Sequence, residues 1–148
     1  VLAMGAWQTR QHPRGPLPTL QLRTLTGEPV SSASWLGKPV LLEVWAPWCG
    51  VCRLQADNVS RVRRWLGDRV MVVSVVTAFS DAAEILAAMA SHGVDYPVLV
   101  ADAASLQKLE VSAFPTFFMV DANGRVVTSA VGYTTTVGLY LRARRSAW

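Results

Sequence analysis

Cysteine and histidine are scarce in this chain: of its 148 residues, two are cysteine and two are histidine. A zinc site needs four ligands, so the donor count barely suffices, and the histidines are badly placed for it. His12 lies in a Pro/Gly-rich leader, and His92 precedes Gly93 at an expected helix end, where a cationic ring would complement the dipole. Long apolar runs are also missing. No stretch approaches the roughly 18–20 apolar residues that cross a bilayer. Charge is sparse, at 16% of residues, and the excess of 14 basic over 10 acidic residues leaves +4. Arg142, Arg144 and Arg145 read as the solvated end of a last helix rather than a nucleic-acid patch, because no aromatic-interleaved basic stripe accompanies them. Internal repeats and low-complexity tracts are absent, and the length suits one packed domain.

What is present is concentrated in one place. Both cysteines fall in Trp48-Cys49-Gly50-Val51-Cys52, directly after the apolar, strand-like run Val40-Leu41-Leu42-Glu43-Val44-Trp45-Ala46. A strand that delivers two thiols to the first turn of a helix puts Cys49 against unpaired N–H groups and the positive end of the helix dipole, which favours a thiolate. Cys52, one turn later, is placed to attack a mixed disulfide formed at Cys49. A structural disulfide is a poor reading, since so short a loop removes little unfolded-state entropy. The expectation is an exposed, easily ionised Cys49.

Residues 1–15 read as leader or linker and 16–148 as the domain. The apolar scrap ending at Trp7, followed by Arg10 and Arg14, resembles the outer end of a membrane anchor and equally fits an ordinary N-terminus. Leu20, Leu22 and Leu25 around Thr26-Gly27-Glu28 suggest a hairpin, and a turn over 31–37 should carry Trp35 and Leu36 inward. A helix follows over 50–66, with Val51, Leu54, Val59, Val62 and Leu66 on its core side. The run 70–76 is a buried central strand. Helices over 81–91 and 102–110, strands over 96–100, 116–120 and 125–131, a turn at 121–124 and a last helix to Arg144 complete the pattern. Strands alternating with helices imply an α/β mixed sheet with helices on both faces.

Trp45-Ala46-Pro47-Trp48-Cys49-Gly50-Val51-Cys52 together with Phe114-Pro115-Thr116 resembles the active site of the thioredoxin superfamily. The leading hairpin, Gly93-Val94-Asp95-Tyr96-Pro97-Val98 and Phe117-Phe118-Met119-Val120-Asp121-Ala122-Asn123-Gly124-Arg125 are similar to the TlpA-like branch of periplasmic thioredoxins. The leader and the Cys-x-Val-Cys-Arg pattern resemble its ScsD-like subgroup. The resemblance implies a thioredoxin-like fold with an N-terminal hairpin and an extra helix–strand insertion between Cys52 and Pro115. It implies a cis Pro115 packed against the dithiol, with Phe114's backbone pairing an incoming polypeptide and Trp48, Gly50, Val51 and Thr116 lining the surface that receives it. It further implies a periplasmic monomer, tethered to the membrane, that exchanges disulfides with protein substrates and draws electrons from a membrane thiol donor. No cofactor, metal or nucleic acid enters.

Glu43 interrupts an apolar strand at the position where thioredoxins carry a buried aspartate behind the second cysteine. Buried, its pKa would rise, and it could take the proton of Cys52; the alternative is a carboxylate reaching a surface arginine. Between the cysteines, Gly50-Val51 supplies no cation to hold a thiolate, which points to a reductant or an intermediate potential. Two alternatives from other classes stay open: a dithiol protein handling copper(I) or serving a haem pathway, and a thiol peroxidase.

Overall fold

The computed structural model of the chain describes residues 12–147. The anchor reading at Trp7, and Trp148, lie outside the described residues. Strands β1 (Gly15–Pro16), β2 (Gln21–Arg23), β3 (Pro29–Ser31) and β4 (Val40–Trp45) lead into helix α1 (Gly50–Leu66). Then follow β5 (Met71–Val76), α2 (Ala82–His92), β6 (Val98–Ala101), α3 (Ala103–Leu109), β7 (Thr116–Val120), β8 (Arg125–Val131) and α4 (Thr136–Ala147). All eight strands form one sheet in the order β1-β8-β7-β4-β5-β6-β2-β3. β4, β5 and β6 run parallel, and β7, β8, β1 and the β2–β3 hairpin are antiparallel additions at the two sides. The span between Cys52 and Pro115 therefore holds β5, α2, β6 and α3, which accommodates the helix and strand expected there.

Strand alternation divides the core. Val40, Leu42 and Val44 face a cluster with Leu20, Val73, Phe118 and Leu109, covered by α3 and the N-terminal segment. Leu41, Glu43 and Trp45 point to the other side, where α1, α2 and α4 pack. β4 is buried at every position, as a central strand paired on both edges should be. The helix boundaries follow from local chemistry. Asp81 and Asp102 accept N–H bonds from Glu84 and Ser105 as N-caps, and Gly93 ends α2 with φ 67, a left-handed conformation that glycine adopts without Cβ strain. At the β7–β8 turn, Asp121 Oδ1 accepts from the Asn123 and Arg125 amides, both at 3.0 Å.

Four expectations are corrected here. Val51 and Leu54 are exposed, the latter by 68%, because the core side of α1 begins with Cys52 and continues through Ala56, Val59 and Val62. Leu36 is exposed over Gly124, whereas Trp35 packs against the core. His92 is half-buried with its ring 5.7 Å from that of Trp45; desolvation and then Arg53 lower its pKa, so the neutral ring is favoured over the expected cation. The packed structure also begins before residue 16: Gly15 pairs with Val126, and His12 is buried beside Phe118 with Nδ1 3.0 Å from Ser129 Oγ.

A buried amide network fastens α1 to the segment after β8. Gln55 Nε2 donates to the Thr134 carbonyl at 2.9 Å while its Oε1 accepts from the Thr134 amide at 2.8 Å. Asn58 Nδ2 donates to the same carbonyl at 3.0 Å, and the Thr136 hydroxyl donates to Asn58 Oδ1 at 2.9 Å. Removing Gln55 leaves the Thr134 amide buried without a partner. Gln55→Ala should therefore lower the unfolding free energy in urea by about 2–4 kcal/mol.

Candidate active site

Cys49 is the N-cap residue of α1. Its extended backbone (φ −83°, ψ 111°) turns the sulfur back over the first helical turn, where Sγ accepts the Cys52 amide at 3.2 Å. An amide and the N-terminal end of a 17-residue helix thus face this sulfur. Both cysteines are free thiols. Cys49 retains 8% of its surface and Cys52 2%. This corrects the expectation of an exposed Cys49: it is tucked under its own helix turn and against the Phe114 carbonyl, 3.6 Å from Sγ, while remaining the more accessible of the two. The Cys52 thiol is pushed far up in pKa, first by burial, then by its contact with Cys49, with Glu43 adding charge repulsion.

The Phe114–Pro115 peptide is cis and sits at the entrance to β7. The Pro115 carbonyl accepts the Gly132 amide at 2.8 Å, two residues before the Thr134 clamp on α1. Trp48 is 63% exposed, yet its ring is held at two points. Nε1 donates to the Ala78 carbonyl at 2.8 Å, and the ring meets Phe114 edge-on at 5.7 Å. Gly50 and Val51 are exposed beside it. Thr116 is different: it is fully buried, paired with Val44 and Val131, and its hydroxyl closes on the Ala113 carbonyl at 2.8 Å. It shapes the loop and presents no surface to a partner, which corrects its expected place in the lining.

Glu43 is 1% exposed, so the surface-arginine alternative is excluded. Register pairs it with Ser74 and Phe117, on the face that α1 covers. Neither carboxyl oxygen meets a donor at full hydrogen-bond geometry. Burial raises its pKa to about 8, with the Tyr96 phenol working in the opposite direction. A carboxyl that is mostly protonated at neutral pH, yet ionises within reach of it, lies behind a thiol that must lose its proton to act.

A Redoxin family model matches residues 13–140, most of the chain. The chain belongs to the Redoxin family. The thioredoxin-like protein YneN of Bacillus subtilis is 28% identical over 120 residues, covering 80% of this chain and 71% of YneN. The thiol-disulfide oxidoreductase ResA of the same organism is 25% identical over 119 residues, covering 80% of this chain and 66% of ResA. A secreted Mycobacterium tuberculosis disulfide oxidoreductase superposes with a TM-score of 0.72 at 26% identity, over 84% of this chain and 94% of that one. These likenesses support the thioredoxin-like fold and place this Redoxin chain among thiol–disulfide oxidoreductases.

The structure brings Cys49, Cys52, Glu43, Trp48, Phe114 and Pro115 to one end of β4 and β7. Gln55 and Tyr96 stand beside them and were not singled out by sequence reasoning; glutamine one turn after Cys52 and tyrosine before Pro97 carry no pattern that marks them. For the Redoxin chain's Glu43 the folded pKa is raised, so the native state holds a proton that the unfolded chain releases earlier. Its stabilising contribution is complete below about pH 4.5 and is lost as pH rises to about 8. Relative to Glu43→Gln, the unsubstituted protein should lose about 1.4 kcal/mol per pH unit across that window, measured by chemical unfolding at several pH values.

Proposed function

We propose that this thioredoxin-like thiol–disulfide oxidoreductase reduces protein disulfides through Cys49 and Cys52, with Glu43 as the proton acceptor. Cys49 attacks one sulfur of a substrate disulfide and the other sulfur leaves as a thiolate. The resulting mixed disulfide removes the contact and charge by which Cys49 raises the pKa of Cys52. Cys52 then passes its proton to Glu43 and attacks Cys49 Sγ, so the second substrate thiolate departs. The substrate has gained two electrons and the enzyme has become the Cys49–Cys52 disulfide; a dithiol donor restores it by the reverse exchange. The observation that carries this reading is Cys49 Sγ at the start of α1, accepting the Cys52 amide and lying beside the Phe114 carbonyl.

Trp48, Gly50, Val51 and Phe114 supply the surface on which an extended polypeptide is received, with the Phe114 backbone as its partner and Pro115 shaping the approach. The reductive direction is supported by the absence of any cation between the cysteines. A location outside the cytoplasm, in the bacterial periplasm, is supported by the secreted Mycobacterium tuberculosis relative. A membrane tether, a membrane thiol donor and service in copper or redox stress rest on the resemblance of the leader and of Cys49-Gly50-Val51-Cys52-Arg53 alone.

Single substitutions test the order of attack. Cys49→Ser should abolish reduction of a protein disulfide, by at least about a thousandfold. Cys52→Ala should still capture substrate but stop there, accumulating a mixed disulfide at Cys49 that mass spectrometry resolves. Capture by Cys52 in the Cys49→Ser variant, at the rate of the parent, would reverse the assigned roles.

A further inference from the structure

Basic residues are not spread evenly over this fold. Helices α1 and α4 hold seven of the fourteen basic residues and a single acid, Asp57. The rest of the chain carries seven basic against nine acidic residues, so one flank is cationic and the remainder mildly anionic. Three of the seven arginines turn away from the seam between the two helices. Arg53 stands close enough to His92 of α2 to lower its pKa, Arg63 donates to the Asp95 carbonyl at 3.0 Å, and Arg64 lies 3.9 Å from the Asp95 carboxylate. Arg61, Arg142, Arg144 and Arg145 remain. The two helices run in the same direction, since Thr134 pairs with Gln55, Thr136 with Asn58 and Tyr140 with Trp65. Their arginine-bearing ends therefore lie together, away from the thiols.

The same flank exposes apolar groups that the fold leaves uncovered. Val137, Leu141 and Trp65 each keep about half of their surface in water. Residues 137, 141 and 145 follow one another at four-residue steps along α4, opposite the buried Leu139, Ala143 and Ser146. Across the seam the Trp65 and Tyr140 rings meet edge-on at 5.6 Å, and the Arg144 guanidinium lies 5.7 Å from the centre of the Tyr140 ring. These contacts join both helices into one surface on which arginine alternates with apolar groups. A second copy of the face is a poor occupant, because like charges would oppose one another. A nucleic-acid backbone would engage the arginines but leave Val137 and Leu141 against phosphate and sugar. An anionic bilayer surface uses both: guanidinium groups sit among phosphates while Trp, Val and Leu enter the boundary between headgroups and acyl chains.

We propose that the α1–α4 flank is a peripheral docking surface for anionic phospholipid, with Trp65, Val137 and Leu141 entering the interface and Arg61, Arg144 and Arg145 pairing with headgroup phosphates. The surface is built within α1 and α4, so it acts without any contribution from the leader. It is also independent of the exchange chemistry assigned to the thiols. Trp65 stands sixteen residues after Cys49, about 24 Å along α1. Lipid held at that end leaves Trp48 and Cys49 open to a polypeptide, so docking concentrates the protein at a membrane without closing its site.

The test is co-sedimentation of the 148-residue chain with vesicles of phosphatidylcholine, alone or with about one-third phosphatidylglycerol. At low salt the protein should bind the anionic vesicles at least about tenfold more tightly than the neutral ones, and about 0.5 M salt should release it. Arg61→Gln combined with Arg145→Gln should weaken binding by about twentyfold, at about fivefold for each arginine near the surface. Val137→Ser combined with Leu141→Ser should weaken it by about tenfold. None of these four substitutions should alter disulfide exchange in solution. A second measurement leaves every charge in place: lipid brominated along its acyl chains should quench the tryptophan emission of the parent, and Trp65→Phe should lose much of that quench. Equal binding to neutral and anionic vesicles would overturn the proposal. So would anionic binding that neither pair of substitutions weakens, the result expected if the leader alone holds the lipid. Binding of a single-stranded oligonucleotide or of polyglutamate, with none to anionic vesicles, would overturn it in favour of another class of partner.

Discussion

The pairing of Gln55 with both backbone groups of Thr134 is the constraint on which the site depends. A glutamine amide has one donor and one acceptor end, and here each meets its complement on a single peptide residue. Because Gly132, two residues earlier, donates to the Pro115 carbonyl, the clamp joins the helix that carries the thiols to the loop that carries Phe114 and Pro115. The two halves of the site come from segments more than sixty residues apart, and their separation is set by these few bonds rather than by the sheet alone. An exchange reaction needs sulfur atoms in line to within a fraction of an ångström, so rigidity in this clamp is a chemical requirement.

Burial then divides the labour between the sulfurs. Cys49 has an amide and a helix end to face, whereas Cys52 has a low-dielectric wall and a carboxyl. The same desolvation that makes Cys52 a poor nucleophile at rest raises the basicity of Glu43, the carboxyl proposed to take its proton. Glu43 without a seated partner destabilises the fold, and that cost is localised where reactivity is needed, a pattern common to functional sites.

Much of this was legible in the chain. The apolar run 40–46, the aspartates before α2 and α3, Gly93 and the Asp121–Gly124 turn each carry their structural meaning in local chemistry, and their elements fall where that chemistry puts them. Glu43 could be recognised because one acid in an apolar strand has no local excuse. Other features depended on the third dimension. Periodicity alone does not tell that α1 starts its inward face at Cys52, so it places Val51 and Leu54 on the wrong side. Thr116 stood beside Pro115 in sequence and looked like part of the lining, but its strand is paired on both edges and turns it inward. His12 sat among prolines and glycine, where nothing announced that Ser129 and Phe118 would receive it. Gln55 became visible only once its distant partner Thr134 was in place.

The bracing of Trp48 has a consequence for recognition. Its indole links the dithiol turn, the carbonyl of Ala78 and the ring of Phe114, so three separate stretches of chain share a common rim. Such a rim is ordered when the protein folds, and an arriving polypeptide need not freeze it again on contact. In the proposed function, selectivity then falls mainly to the visitor: chains that are already extended, or easily made so around their cystine, would fit at little entropic loss, while well-packed ones would be turned away.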